Sequence, residues 1–191
     1  MVLPLLAALS LTYGYGVQDP FNDNAVSRMA LAVSAATEGR LSIEPFELAT
    51  VDRAFRGGHF YSDKAPGLSF VAVPVVAALM AATGGGGAAS LVSPAPVPGE
   101  KPLTLRFALL VLVATPLTNG LATALAACAL YLAARRLGRD GAAALVAALA
   151  LALGTPAWGW ATAFFGHALA GALAFGAFSL VIALHERARA G

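Results

Sequence analysis

The sequence predicts an all-α membrane protein of about four transmembrane helices, with interfacial helices in a large first outer loop. Composition is the first observation: 59% of the residues are hydrophobic and 12% are charged, whereas soluble domains carry about 25% charged residues. The charges are also segregated, which leaves uncharged runs at residues 107–134, 141–166 and 168–184. Apolar runs of about 18 or more residues are typical of membrane spans. A soluble domain of this size could not bury three such helices and two more apolar runs.

The first predicted span is residues 1–17, an apolar segment barely long enough to cross a bilayer. It lacks the positively charged start of a signal peptide, and no small-x-small cleavage site precedes Gln18. We interpret it as a span, with a cleaved signal peptide as the alternative. The other predicted spans are residues 107–134, 141–157 and 168–184.

Arginines predict the orientation of these spans. Three arginines lie in the tight turn at residues 135–139, and two more follow the last span at residues 187–189. Because Lys and Arg are enriched in cytoplasmic loops, both clusters are predicted to be cytoplasmic. Residues 18–106 then form a large loop outside the cytoplasm, in a multi-pass membrane protein.

The outer loop is predicted to contain two helices that lie at the membrane interface. Residues 24–38 place apolar side chains at near-helical spacing, with Gly39 as the predicted stop. The polar residues Ser27, Arg28 and Ser34 fall off this apolar stripe.

The second predicted interfacial helix is residues 66–82. It is apolar, but it begins with a proline and contains Pro74, which disfavours a straight span. The pair Gly57-Gly58 predicts a turn before it. Residues 83–99, rich in Gly, Ala and Pro, are interpreted as a flexible linker.

Ionisable side chains concentrate in this loop, beside segments predicted to touch the membrane. A histidine, a tyrosine, an acid and a base fall within residues 59–64, directly before the apolar run 66–82. Such a junction suits a substrate with a charged head on a lipid tail. The predicted outer side also contains Asp19, Asp23, Arg28, Asp52 and, before the last span, His167. Ionisable groups at a membrane indicate function, and the alternative is a solvated loop of salt bridges.

Several stretches carry a family resemblance. They are NAVSR at 24–28, EGRLSI at 38–43, DRAFRGGHFYSDKAPGLS at 52–69 and GTPAWGWATAFFGH at 154–167. They resemble bacterial membrane glycosyltransferases of family 39, in the GT-C class with protein O-mannosyltransferases and the aminoarabinose transferase of lipid A. The run YSDKAPG at 61–67 is the most specific part, and the resemblance covers residues 18–185.

The resemblance implies the N-terminal part of a GT-C fold, in the bacterial cytoplasmic membrane with its active face outward. It also implies transfer of a sugar from a polyprenyl-phosphate donor to an acceptor on the outer face of the membrane, without nucleic acid. Because family members have many more spans, we expect this chain to be a fragment of a longer protein. A non-enzymatic membrane scaffold or subunit is the alternative, which the short length and the Ala/Gly-rich spans favour.

The resemblance also implies roles for single residues. Lys64 takes the place of a lysine that contacts the lipid phosphate, where a fixed cation stabilises the leaving group. Asp63 is expected to orient Lys64 or to help hold a divalent metal. Asp23 is the nearest match to the family's proposed base, with Asp19 and Asp52 as alternatives.

His167 stands where the second outer loop of relatives often carries an acid. It could act as a base, a metal ligand or a hydrogen-bond donor to phosphate. Asp63, His59 and His167 either form a divalent metal site or only form hydrogen bonds. The candidate catalytic residues are thus Asp23, Asp63 and His167, and the candidate substrate-binding residues are Arg28, Asp52, His59, Tyr61 and Lys64.

Overall fold

The structure is a computed structural model that describes residues 1–94 and 98–190. Residues 95–97, within the predicted linker, lie outside the described residues. The chain is mostly helical, with 69% of its residues in helices, which confirms the predicted predominance of helix. The helices are α1 (Val2–Tyr15), α2 (Asp23–Glu38), α3 (Gly67–Ala82), α4 (Leu105–Thr115), α5 (Leu121–Arg136), α6 (Gly141–Gly154), α7 (Ala157–Ala161) and α8 (Gly166–Ala190).

An antiparallel hairpin departs from the all-α prediction. Its strands are β1 (Arg53–Arg56) and β2 (His59–Ser62), with Arg56 paired to His59. Gly57 and Gly58 connect them with φ angles of 59° and 85°, the left-handed backbone that a tight two-residue hairpin turn requires. The predicted turn is therefore confirmed, whereas the four-residue strands were too short to show an alternating pattern.

Helix α2 begins and ends where local signals predict. The Asn22 side chain accepts a hydrogen bond from the Asn24 amide at 3.0 Å, and Gly39 ends the helix in the left-handed conformation with φ 66°. The apolar stripe is buried as its spacing predicts, but burial extends beyond it: all ten residues from 25 to 34 are buried, including Ser27, Arg28 and Ser34. Helices α3 and α4, strand β2 and the turn at residues 88–91 surround α2.

The interpretation of residues 83–99 as a flexible linker is wrong for its middle part. Residues Ala88–Leu91 form a helical turn, and the side chains of Ala88 and Leu91 are fully buried in the core around α2. The Ala88 amide donates to the Glu38 carboxylate at 2.7 Å. Buried side chains and hydrogen bonds thus hold this part of the Gly-rich segment in place.

Among the described residues, two helices are long and apolar enough to cross a membrane by length and composition. They are Leu105–Arg136, in which α4 continues into α5 through a wider turn at Pro116–Gly120, and Gly166–Arg189. Each helix contains an apolar stretch of 18 residues. In the first helix 56% of that stretch is buried, whereas in the second only 6% is buried. Helices α1, α3 and α6 are apolar but shorter.

Two hydrophobic cores organise the molecule. The first surrounds α2 and includes side chains of α3 and α4. The second joins α1, α5, α6 and α7. The Pro116–Gly120 turn contacts α1, α3, α7 and α8, so it connects the two cores.

Candidate functional site

The connection between β2 and α3 carries the most specific part of the family resemblance. The hydroxyl of Ser62, at the end of β2, lies 2.7 Å from the Ser27 hydroxyl on α2. At the start of α3, the Ser69 hydroxyl donates to the Arg28 carbonyl at 2.8 Å. Asp63 and Lys64 are therefore held between a strand and an apolar helix that are both fastened to α2.

Lys64 lies between two carboxylates. Its Nζ is 3.0 Å from Asp52 and 3.3 Å from Asp63. Burial disfavours the charged form of Lys64, but the hydrogen bonds and charges of Asp52 and Asp63 outweigh this and raise its pKa. A raised pKa keeps Lys64 protonated at neutral pH, which suits the role of a fixed cation.

Arg28 adds a second cation beside this pair. Its side chain is buried, its Nε donates to the Asn24 side chain at 2.8 Å and its Nη1 donates to the Ala65 carbonyl at 2.7 Å. Burial lowers the pKa of Arg28, and the negative charges of Asp63 and Asp52 oppose that shift. Arg28, Lys64, Asp52 and Asp63 thus form a four-charge cluster in which two cations balance two anions.

Asp23 lies beside the four-charge cluster rather than in it. Its carboxylate is 2.6 Å from Lys101 Nζ and accepts a hydrogen bond from the Val51 amide at 3.0 Å. The hydrogen bond from Lys101 lowers the pKa of Asp23, although burial opposes the shift. Asp23 is thus connected to the cluster indirectly: it binds the backbone of Val51, and the next residue is Asp52.

His59 and Tyr61 belong to a different network. Side chains alternate along a strand, so Phe60 packs against the first core while His59 and Tyr61 lie on the opposite face of β2. The His59 Nδ1 is 2.8 Å from Glu44, which also pairs with Arg40. The side chain of His59 is 59% exposed, and no contact joins it to Lys64 in the described part of the chain.

His167 lies in the first turn of α8. Its ring stacks on Trp160 at 4.3 Å between centroids, and it lines an apolar cavity of about 300 Å³ bounded by α5, α6, α7 and α8. Its neighbour Gly166 lies against the Arg28 guanidinium, because a Cβ at Gly166 would be 3.3 Å from Nη1. His167 is therefore near the four-charge cluster but faces away from it.

The metal hypothesis finds no support in the arrangement of side chains. Asp63, His59 and His167 lie in three different environments. Within residues 1–94 and 98–190, no group of three or more His, Cys, Asp or Glu side chains could hold a metal ion.

Asn119 is a site residue that the sequence analysis missed. It is fully buried in the Pro116–Gly120 turn, and its Nδ2 donates to the carbonyls of Ala163 at 2.6 Å and Phe165 at 2.7 Å. Asn119 therefore fixes the turn that places Gly166 on Arg28. A lone amide within an uncharged apolar run was the available signal, since wide helical turns and polar groups in such segments often mark functional positions.

The structure brings four of the predicted site residues together in the four-charge cluster. Asp23 borders it, whereas His59, Tyr61 and His167 lie outside it. Comparisons of the chain with protein-family models, with curated proteins and with solved structures found no match. Any functional assignment therefore depends on the residues themselves and on their geometry.

Proposed function

We propose that this chain forms the outward-facing, donor-binding part of a membrane glycosyltransferase that uses a polyprenyl-phosphate-linked sugar. The observation that carries the proposal is the position of Lys64, a persistent cation held by Asp52 and Asp63 three residues before the apolar helix α3. A donor of this class has a phosphate head on a long apolar tail. Such a donor matches a surface on which a charged pair, Asp63 and Lys64, precedes an apolar helix.

The start of α3 supplies the apolar half of that surface. Phe70 and Val71 are 47% and 48% exposed, so α3, which begins three residues after Lys64, exposes large apolar side chains near its start. Short apolar helices can lie in the membrane interface. We propose that α3 does so, and that the donor tail enters the bilayer along it while the phosphate contacts Lys64.

The reaction breaks the bond between the sugar carbon C1 and the phosphate oxygen, and forms a bond from C1 to an acceptor oxygen. The phosphate leaves with the electron pair, and Lys64 stabilises the charge that accumulates there. A base takes the proton of the acceptor. We favour Asp52 for this step because it lies in the four-charge cluster beside Lys64. Asp23, which pairs with Lys101 outside the cluster, is the alternative.

The proposal includes a topology of four spans, formed by α1, the α4–α5 helix, α6 and α8. It sets the four-charge cluster outside the bacterial cytoplasmic membrane and the arginines at the ends of α5 and α8 inside. In a Cys128→Ala background, Ser93→Cys should react with a membrane-impermeant thiol reagent added to intact cells, whereas Arg139→Cys should react only after lysis. The reverse pattern would contradict this topology.

A binding measurement tests the role of Lys64. We expect Lys64→Ala to weaken binding of radiolabelled polyprenyl phosphate to the chain in nanodiscs by about tenfold to a hundredfold, because a hydrogen bond to a charged group contributes about 1.5–3 kcal/mol. Lys101→Ala is the matched control, since Lys101 pairs with Asp23 outside the cluster. Unchanged affinity in Lys64→Ala would contradict the proposal and would mean that the four-charge cluster is a solvated group of ion pairs.

Turnover measurements in an active protein that contains this region distinguish the two acids. Replacement of the base by its amide should reduce turnover by about 10²–10⁴-fold. We expect Asp52→Asn to show this loss and Asp23→Asn to show a smaller one. Glu100→Gln, at an exposed position, should leave turnover unchanged.

A further inference from the structure

A groove runs along the junction of α5 and α8. Its volume is about 820 Å³, and its walls are mainly Ala, Gly and Leu side chains. It lies between the two described helices that are long and apolar enough to cross a membrane. The groove is therefore a surface that hydrocarbon would contact if these helices span the bilayer.

The two ends of the groove differ in charge. Arg136, the last residue of α5, and Arg187, in the last turn of α8, line one end. Ala122 and Leu169 line the other end, close to the first turn of each helix. The groove is thus cationic at one end and apolar along the rest of its length.

The dimensions match one lipid chain. From Ala122 to Arg136 the groove follows α5 for about 21 Å at 1.5 Å per residue. One leaflet of a bilayer contributes about half of the roughly 30 Å hydrocarbon thickness. The groove is therefore long enough for an acyl chain, whose headgroup lies at the arginines, to contact it across a whole leaflet.

We propose that this groove binds one anionic phospholipid, with its phosphate at Arg136 and Arg187 and an acyl chain between α5 and α8. Guanidinium groups match the geometry of phosphate oxygens, and basic pockets between membrane helices are suited to anionic headgroups. This lipid site lies at the opposite end of the helices from the four-charge cluster. It is independent of the proposed sugar transfer and requires only that α5 and α8 lie in a membrane.

Native mass spectrometry of the purified chain tests the headgroup. Phosphatidylglycerol should be retained about tenfold to thirtyfold better than phosphatidylcholine with the same acyl chains, from the attraction that basic residues near a membrane surface provide. The double variant Arg136→Gln, Arg187→Gln should lose this preference. The double variant Arg135→Gln, Arg189→Gln removes the same charge from residues that do not line the groove, and it should keep the preference.

Two glycines of α8 test the groove itself. A Cβ at Gly176, which lines the groove, would meet no atom within 4 Å, so Gly176→Leu should fit and fill it, and retention of both lipids should fall. Gly171 is equally open but lines the cavity beside His167, so Gly171→Leu should leave retention unchanged. Equal retention of the two lipids by the unmodified chain would overturn the proposal, as would a lipid-free dimer that Gly176→Leu dissociates.

Discussion

Helices α2 and α8 differ in composition and in burial: the more polar helix, α2, is buried, and the more apolar helix, α8, is exposed. Helix α2 contains Asp23, Arg28 and several hydroxyl side chains, yet its central ten residues are buried. Helix α8 is apolar over most of its length, yet only 6% of its most apolar stretch is buried. In a soluble domain the more apolar helix is expected inside. Helix α8 is instead exposed and has the length and composition of a membrane-crossing helix.

The comparison also separates two sources of stability. Around α2, the protein itself supplies the partners: Arg28 donates to Asn24 and Ala65, and Ser27 lies against Ser62. Along α8, the structure leaves the apolar side chains without protein neighbours over much of their surface. Substitutions that remove apolar volume should therefore act very differently in the two helices.

The largest expected effect is on α2. Met29 is fully buried there, and Met29→Ala should lower the free energy of unfolding in detergent by about 2–5 kcal/mol, because truncation leaves a cavity. Leu173 on α8 is 65% exposed, and Leu173→Ala should cost less than about 0.5 kcal/mol. Equal losses in the two variants, measured by denaturant titration, would show that α8 is packed against a partner in solution.

A smaller effect is expected where the two regions meet. Asn119→Leu removes the donor that holds the Ala163 and Phe165 carbonyls, and it should cost about 1–3 kcal/mol. Faster amide hydrogen exchange at residues 162–168 would identify the loosened turn.

Thr123→Val is the matched control for Asn119→Leu. The Thr123 hydroxyl donates to the Asn119 carbonyl within the same helix, so its loss should leave the turn at residues 162–168 unaffected. If both variants increase exchange there equally, the turn depends on the helix as a whole rather than on the Asn119 amide.

The sequence predicted those parts of the fold that local chemistry determines. Gly39 ends α2, and Gly57-Gly58 forms the hairpin turn, because both require backbone angles that glycine adopts readily. The burial of α2 on all sides could not be predicted, since it depends on segments distant in the chain. Leu91 is one example, a core residue inside what the composition suggests is a linker.

The candidate site shows the same division. Asp63 and Lys64 are adjacent in sequence, so their ion pair could be predicted from the sequence alone. The Asp23–Lys101 ion pair joins residues far apart in the chain, and no local pattern predicts it. His59 shares a strand with the motif but faces Glu44, because its position in the alternation of β2 turns it away from α2.

The smallest expected effect concerns the exposed network of His59, Glu44 and Arg40, where solvent rather than protein or lipid is the main neighbour. Burial disfavours the charged form of Glu44, but hydrogen bonds from Ser42 and His59 and the charge of Arg40 outweigh it and lower its pKa to about 2. The folded chain therefore binds fewer protons at Glu44 than the unfolded chain, whose carboxyl titrates at an ordinary pKa of 4.5. This contribution to stability is fully present above the unfolded pKa and is lost as the pH falls towards 2.

Because the Glu44 side chain is 35% exposed, we expect a contribution below about 1 kcal/mol. Comparison of the free energy of unfolding at pH 6 and pH 3 measures it, and Glu44→Gln should reduce the difference between the two values. Glu47→Gln is the matched control, since Glu47 forms no ion pair in the described residues, and it should retain the difference. An undiminished difference in Glu44→Gln would mean that Arg40 and His59 are as well solvated without Glu44 as with it.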